Sequence, residues 1–336
     1  MQPLVKIPYV DLGGYTPLEL LFLYRRSAAA LVEGVKRTFG GTSGTFALPW
    51  TDRAARCWLE KSDNPYLPEI EAMAQALDLP GVYTLNLRFE WGCTSGVWHS
   101  DDSPLLRRVL DWPFPALGEH TVVAHQKGPA GDFLNVTWPG LSGILQALAH
   151  GRFAAAINLA PRRRRGAGLA GKWALGRFTV ARNHALPPSH LLRRAFETAS
   201  DYAAAKAMLC TAPVAVPAIF TLSGVRRGEG CVIERTEEAF AVREMADGHV
   251  CATNHFESHL NDAGSGWLAR PIGSRDRLVY ARTLGPAADL SWFTPPIANV
   301  NSRLALTANA VKGALMVMGT AGAEPVTETF RLPVPD

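Results

Sequence analysis

Short β-forming runs, gathered in two groups and punctuated by glycine and proline, constrain this chain more than any other feature. Thr121–His125, Asp132–Trp138 and Phe153–Leu159 make the first group; Ala218–Ser223, Gly230–Arg235, Ala239–Met245 and Val250–Thr253 make the second. Their length and their content of β-branched and aromatic residues read as strands. Helical patterns at Ser189–Thr198 and Asp201–Cys210 separate the groups, another follows at Ser274–Leu284, and Leu304–Ala310, Lys312-Gly313 and Ala314–Gly319 read as a hairpin. Helices between and beside groups of strands indicate a layered α+β protein, not a βαβ repeat. There is no internal repeat and no phosphate-binding glycine motif.

The first 80 residues or so are of another kind. Thr16-Pro17 supplies an N-cap and a proline at the first helical position. A helix is predicted from Leu18 to Phe39, stopping at Gly40-Gly41, and a second over Leu67–Leu77, before Pro80-Gly81. Val82–Glu90 alternates and is predicted as a strand leading into Gly92-Cys93-Thr94-Ser95.

The 336 residues, 47% hydrophobic and 19% charged, suffice for a sizeable core in one large or two modest domains. A net charge of +4 gives no reason to expect nucleic acid. No apolar run approaches the roughly 20 residues that cross a bilayer. The N-terminus lacks a basic-then-apolar signal pattern, so a cytoplasmic protein is expected. Arg162-Arg163-Arg164-Arg165 reads as a solvated loop, or else as a patch facing an anionic substrate or a lipid surface. The five cysteines (Cys57, Cys93, Cys210, Cys231, Cys251) form no CxxC pair, and the histidines show no metal-ligand spacing. Neither a disulfide framework, a metal nor a cofactor is expected, and Cys231 and Cys251 read as core residues.

One cysteine stands apart by its company. Gly92-Cys93-Thr94-Ser95 is followed by Arg108-Val109-Leu110-Asp111 and Trp112-Pro113-Phe114, then by Gly228-Glu229-Gly230, Thr253-Asn254 and, late in the chain, Arg277. With Ile7-Pro8-Tyr9-Val10-Asp11-Leu12 at the start, this ordered set resembles the N-terminal-nucleophile hydrolases of the acid ceramidase, N-acylethanolamine acid amidase, choloylglycine hydrolase and penicillin acyltransferase group. The resemblance covers nearly the whole chain. It implies an αββα sandwich, two stacked antiparallel sheets with helices outside. It also implies self-cleavage between Gly92 and Cys93, leaving residues 1–92 as a smaller, helical subunit associated with a catalytic subunit, 93–336.

The chemistry it implies is hydrolysis of a linear amide, an N-acyl amine, through a thioester on Cys93. A free thiol with a pKa near 8.5 is mostly protonated at neutral pH. Arg108 would favour the thiolate, and the new α-amine would act as base, oriented by Asp111. Asn254 would donate to the oxyanion, Asn158 would assist nearby, and Arg277 would anchor the nucleophile region or the substrate. His255 is the alternative Cys-His partner, made redundant by the amine; His99 reads as a surface or strand residue. Trp91, Trp98, Trp112, Phe114 and Trp138 are candidates for an acyl pocket or for plain core. Val109 replaces an asparagine of the family pattern. Leu159 stands where ceramidase-like proteins carry an acidic residue associated with maturation, which puts the efficiency of self-cleavage in question. Acyl transfer to an amine, and a scaffold that never matures, are the alternatives.

Overall fold

The computed structural model describes residues 3–13, 16–87, 92–100, 103–163, 184–261, 267–268 and 273–332. Its N-terminal part is helical: α1 (Pro17–Leu23), α2 (Arg25–Lys61), α3 (Leu67–Leu77) and α4 (Val82–Leu87). The Thr16 hydroxyl accepts the Leu18 N–H and donates to Glu19, starting α1 as the sequence indicates.

Two expectations fail here. The helix predicted over Leu18–Phe39 breaks at Tyr24, and its continuation, α2, runs on through Gly40-Gly41 and Pro49. Glycine and proline cost a helix about 1 and 3 kcal/mol. Both ends of α2 are anchored in the core, by Ala28, Leu31 and Val32 at one end and Trp58 and Leu59 at the other. The strand predicted from Val82 is helical as far as Leu87; residues 88–90 lie outside the described residues. The cause is a cap supplied from a distance. The Asp52 carboxylate, on α2, accepts the Gly81 and Thr84 N–H groups and the Thr84 hydroxyl. The two backbone N–H groups are donors that a helix start leaves unpaired.

Two sheets form the centre. In the first, β1 (Tyr9–Asp11), β4 (Val122–Gly128), β5 (Gly131–Thr137), β6 (Gln146–Ala149), β7 (Phe153–Leu159), β9 (Ala218–Ser223), β10 (Gly230–Arg235) and β11 (Phe240–Glu244) lie side by side in that order. The second runs β12 (His249–Ala252), β2 (Gly92–Ser100), β3 (Ser103–Asp111), β14 (Ser302–Asn309), β15 (Ala314–Ala321) and β16 (Glu324–Pro325), with β17 (Phe330–Leu332) also on β15. Pairing is antiparallel throughout except that β1 lies parallel to β4. Apart from the one at Val82, the predicted strands and the terminal hairpin are present. The β2–β3 hairpin and β6 were not among the predicted strands. Arg162-Arg163 is not loop: as β8 it pairs with β13 (Trp267–Leu268), while Arg164-Arg165 lie outside the described residues.

β2 and β3 stack over β7 and β9. The helices α5 (Pro188–Thr198) and α6 (Tyr202–Thr211) cover the far face of the first sheet, where the Phe196 and Phe153 rings lie 4.7 Å apart. α7 (Ser274–Thr283) covers the far face of the second, where Leu278 and Ala281 pack on Trp98, Val109 and Cys251. The order is helix, sheet, sheet, helix, as expected. Trp112, Phe114 and Trp138 are packed in the main core and Trp98 in this outer cluster, so these four rings are core; Trp91 lies outside the described residues. No described helix is long and apolar enough to cross a membrane.

Residues before Gly92 are tied to those after it by buried polar contacts. Arg193 on α5 pairs with Glu69 on α3 at 2.8 Å and with Glu197 at 2.8 Å, over the ring of Tyr66, whose hydroxyl donates to Glu197. Asn64 donates to His190 Nδ1 at 2.8 Å. Removing one partner of such a buried group leaves the others uncompensated, at a cost of about 3–5 kcal/mol. Arg193→Leu is therefore expected to lower stability by about that amount in urea unfolding, and Arg194→Leu, its neighbour on the exposed side, to have little effect.

Candidate active site

The β2–β3 hairpin builds the site by strand alternation. Cys93 faces Leu110, Thr94 faces Val109, Ser95 faces Arg108 and Gly96 faces Arg107 across the ladder. Residues opposed in an antiparallel pair share a face, and neighbours along a strand point to opposite faces. Cys93, Ser95 and Arg108 therefore point between the sheets. There Ser95 and Arg108 both donate to Asn158 Oδ1 on β7, at 3.0 and 2.6 Å, and Ser95 also meets the Thr221 hydroxyl at 2.7 Å. Arg107 turns the other way. It lies over the Trp98 ring and donates to the carbonyls of Gly285 and Ala287. Of two consecutive arginines, the pleat sends one to the site and one to the outer layer.

Cys93 is wholly buried and held at every polar atom. Its N–H donates to Asn254 Oδ1 at 2.9 Å, and its carbonyl accepts from Arg277 Nη1 at 2.6 Å. Its thiol lies 3.8 Å from the Ile157 carbonyl oxygen. Arg277, one turn into α7, also donates to the Thr94 hydroxyl at 2.8 Å and to Asn254 Oδ1 at 2.9 Å, and pairs with Asp111 at 3.3 Å. Asn254 donates through Nδ2 to the Leu159 carbonyl, and its own N–H is taken by Ser274 Oγ. Asn158 completes the set by donating to the carbonyls of Ala252 and Thr253, just before Asn254.

All six residues singled out in the sequence are thus brought together: Cys93, Arg108, Asp111, Asn158, Asn254 and Arg277. The ion-pair partner of Asp111 is Arg277, not its near neighbour Arg108. His255 bonds to Ser274 and Thr253 hydroxyls rather than to Cys93, and His99 sits in β2, accepting from the Gly228 N–H. Cys231 and Cys251 are buried in strands, as expected. Ser95, Thr221 and Ser274 escaped the sequence reading. The signal for Ser95 was its place two residues beyond Cys93 on the same strand, hence on the same face. No group of His, Cys, Asp and Glu that could hold a metal occurs among the described residues.

The electrostatics differ from the expectation. Burial pushes the Cys93 thiol up to about 11; Arg108 pulls it down, as does the Leu159 N–H beside the sulfur, without overcoming the loss of solvent. Burial likewise raises the Asp111 carboxyl above the ordinary carboxylate value, against Arg277 and a hydrogen bond from Ser302. Two nitrogens of Arg108, Nε and Nη2, are buried without a hydrogen-bond partner. In the continuous chain the site therefore holds a neutral thiol beside spare cationic donors.

The architecture has a counterpart among solved structures. The Caenorhabditis elegans ortholog of N-acylethanolamine-hydrolyzing acid amidase aligns with 72% of this chain and 100% of its own, at 19% identity and a TM-score of 0.51. The chain has the N-terminal-nucleophile hydrolase fold. A mutant of the conjugated bile acid hydrolase from Clostridium perfringens is more distant, at 11% identity and a TM-score of 0.43 over 71% of this chain and 92% of its own. No protein-family model matches the chain, and no curated protein matches it. Within the N-terminal-nucleophile fold, Cys93 occupies the second residue of β2, in the strand hairpin at the centre of the sandwich.

A thiol that titrates near 11 is almost entirely protonated at pH 7.5, and iodoacetamide reacts with the thiolate. In the continuous chain, exposed Cys57 is expected to be alkylated at that pH and Cys93 to remain unmodified, as peptide mass mapping would read directly.

Proposed function

We propose that this protein is a cysteine amidase that activates itself by cleavage between Gly92 and Cys93. The observation that carries the reading is the grip on Cys93: Asn254 on its nitrogen, Arg277 on its carbonyl, and the thiol between the Ile157 carbonyl and Arg108. The fold, shared with an amide hydrolase, supports it.

In self-cleavage the Cys93 sulfur attacks the Gly92 carbonyl carbon, the Gly92–Cys93 C–N bond breaks, and the thiol proton passes to the departing nitrogen. Water then hydrolyses the thioester, which frees the Gly92 carboxylate and the thiol. Glycine before the nucleophile adds no side-chain obstruction. Cleavage turns the Cys93 nitrogen from an amide into an amine with an ordinary pKa of about 7.7–8.0, able to take the thiol proton. That nitrogen lies against Asn254 Oδ1. Gly92, the residue lost from it, stands opposite Asp111 in the ladder, and the role assigned to that carboxylate is to orient the new ammonium.

In turnover the thiolate attacks the acyl carbon of the substrate, the amine departs with a proton, and water releases the acid. The oxyanion of each tetrahedral step is met by Asn254 Nδ2, which carries a second N–H beyond the one given to Leu159. The Leu159 N–H, already beside the sulfur, is a second donor that does not depend on that residue's side chain. An N-acyl amine is the substrate class, and the name of the nematode protein makes an N-acylethanolamine the first to test. Residues 1–92 stay bound through the Arg193 and His190 contacts and through β1, a strand they contribute to the first sheet.

Intact-mass spectrometry of the wild type is expected to show two fragments, ending at Gly92 and beginning at Cys93, and Cys93→Ala a single chain. Acid release from an N-acylethanolamine should accompany the cut. Asn254→Ala should lower kcat by about 10²–10³. An uncut wild-type chain that hydrolyses amides would overturn the free-amine mechanism, and one that is uncut and inactive would leave a non-catalytic scaffold.

A further inference from the structure

We infer that Ser302 is a positioning residue: its hydroxyl, aimed by the Asn299–Ser302 turn, holds the Asp111 carboxylate ionised and in place beside Cys93. This rests on the self-activating amidase reading above.

Ser302 is fully buried at the first position of β14. The register explains how it reaches Asp111. Ser302 opposes Asp111, but Leu304 opposes Leu110, so the ladder shifts by one residue at Arg303. An extra residue on one strand of an antiparallel pair is a bulge, a device that re-aims side chains. Arg303, the extra residue, is pinned by its guanidinium to the carbonyls of Phe114 at 2.7 Å, Val300 at 3.1 Å and Ser302 at 2.7 Å. Without the shift, the residue facing Asp111 would be Arg303.

The hydroxyl rotor is also fixed. The Ser302 N–H closes a turn on the Asn299 carbonyl at 2.9 Å, and the Asn299 N–H donates back to Ser302 Oγ at 3.0 Å. With a lone pair so occupied, the single O–H has two acceptors in reach, Asp111 Oδ1 at 2.8 Å and the Ile297 carbonyl at 3.5 Å. It takes the nearer, which is charged. Asp111 Oδ2 faces Arg277. The carboxylate is thus held by neutral donors, Ser302 at Oδ1 and the Asn299 side chain from the same turn, and by the Arg277 cation from α7 at Oδ2.

The other charged groups around Asp111 are Arg108 on its own strand and Arg303 on β14, both favouring the carboxylate, and the Cys93 thiol on β2. None of these is altered by removing the Ser302 hydroxyl. That removal takes a donor from the charged form only, so it raises the Asp111 pKa. Burial already raises it, so this lost donor counts towards protonation of a group that must be ionised to hold the ammonium.

The experiment has two arms. In Cys93→Ala, which stays uncut, the Asp111 carboxyl is titrated by infrared difference spectroscopy, its band assigned by loss in Asp111→Asn. Adding Ser302→Ala is expected to raise the midpoint by about one pH unit, as loss of a hydrogen bond to a charged group would. In the active enzyme, Ser302→Ala is expected to move the acid limb of the kcat profile up by a similar amount and leave the rate above that limb within about twofold; Ser302→Thr, which keeps the hydroxyl, should restore it. Ser291→Ala, which removes the same kind of bond from exposed Asp289, should leave both readouts unchanged. An unmoved Asp111 midpoint overturns the proposal. So does a moved midpoint with an unmoved acid limb in an active enzyme. A wild type that neither cuts nor hydrolyses overturns the amidase reading instead, and the infrared arm still decides whether Ser302 governs Asp111.

Discussion

The buried guanidinium of Arg277 is the interaction on which the rest of this site depends. An arginine cannot shed its charge, so once buried it must find acceptors for its donors. Arg277 finds four: the Cys93 carbonyl, the Thr94 hydroxyl, Asn254 Oδ1 and Asp111. They come from both strands of the hairpin and from the loop after β12. The requirement that one cation be satisfied therefore fixes three chain segments relative to each other. The Cys93 N–H shares the same Asn254 oxygen, so the Cys93 backbone is located on both sides of its Cα.

The pleat does the other half of the work. It divides the hairpin into an inner face with Cys93, Ser95 and Arg108 and an outer face with Thr94, Arg107 and Asp111. Cys93 and the Asp111 carboxylate thus sit on opposite faces of one sheet. They communicate through the Cys93 nitrogen, which lies in the plane of the sheet. This geometry suits a mechanism in which the base is the nucleophile's own backbone nitrogen, reachable from both faces, better than one in which a side chain must cross the sheet. The His255 ring, by contrast, is engaged through Nδ1 by the Ser274 and Thr253 hydroxyls.

The six candidate residues that cluster here could be singled out in the sequence because their order along the chain matches the pattern of the family it resembles. Of the first sheet, β1 and β6 were not legible, but β7, β9 and β10 were, because they are buried on both faces and carry apolar residues in succession. What escaped was decided across space. α4 is helical because Asp52, about thirty residues earlier, caps it; no local pattern in Val82-Tyr83-Thr84 announces that. α2 passes Gly40-Gly41 and Pro49 because its two ends are buried. The β2–β3 pairing hides in the motif itself, whose polar residues suppress the alternation a strand usually shows, since Arg107 and Arg108 are buried on opposite faces.

The departure at Leu159 takes on a narrower meaning in this setting. The residue offers the site its main chain: its carbonyl accepts from Asn254, and its N–H lies beside the Cys93 sulfur. Both contacts come from β7 and survive any change of side chain. What an apolar side chain withdraws is an extra negative charge near the nucleophile. A carboxylate there would raise the thiol pKa further, by the same like-charge effect that Asp111 already exerts. It would also offer a proton acceptor during the first cut, when the amine does not yet exist. Without it, the uncut chain must deprotonate a thiol that burial holds near 11, with only Arg108 and a backbone N–H in its favour. Under the proposed self-cleavage, the barrier would be concentrated in that single event. Every later turnover would have the amine it creates, so slow maturation and competent catalysis would be compatible in one site.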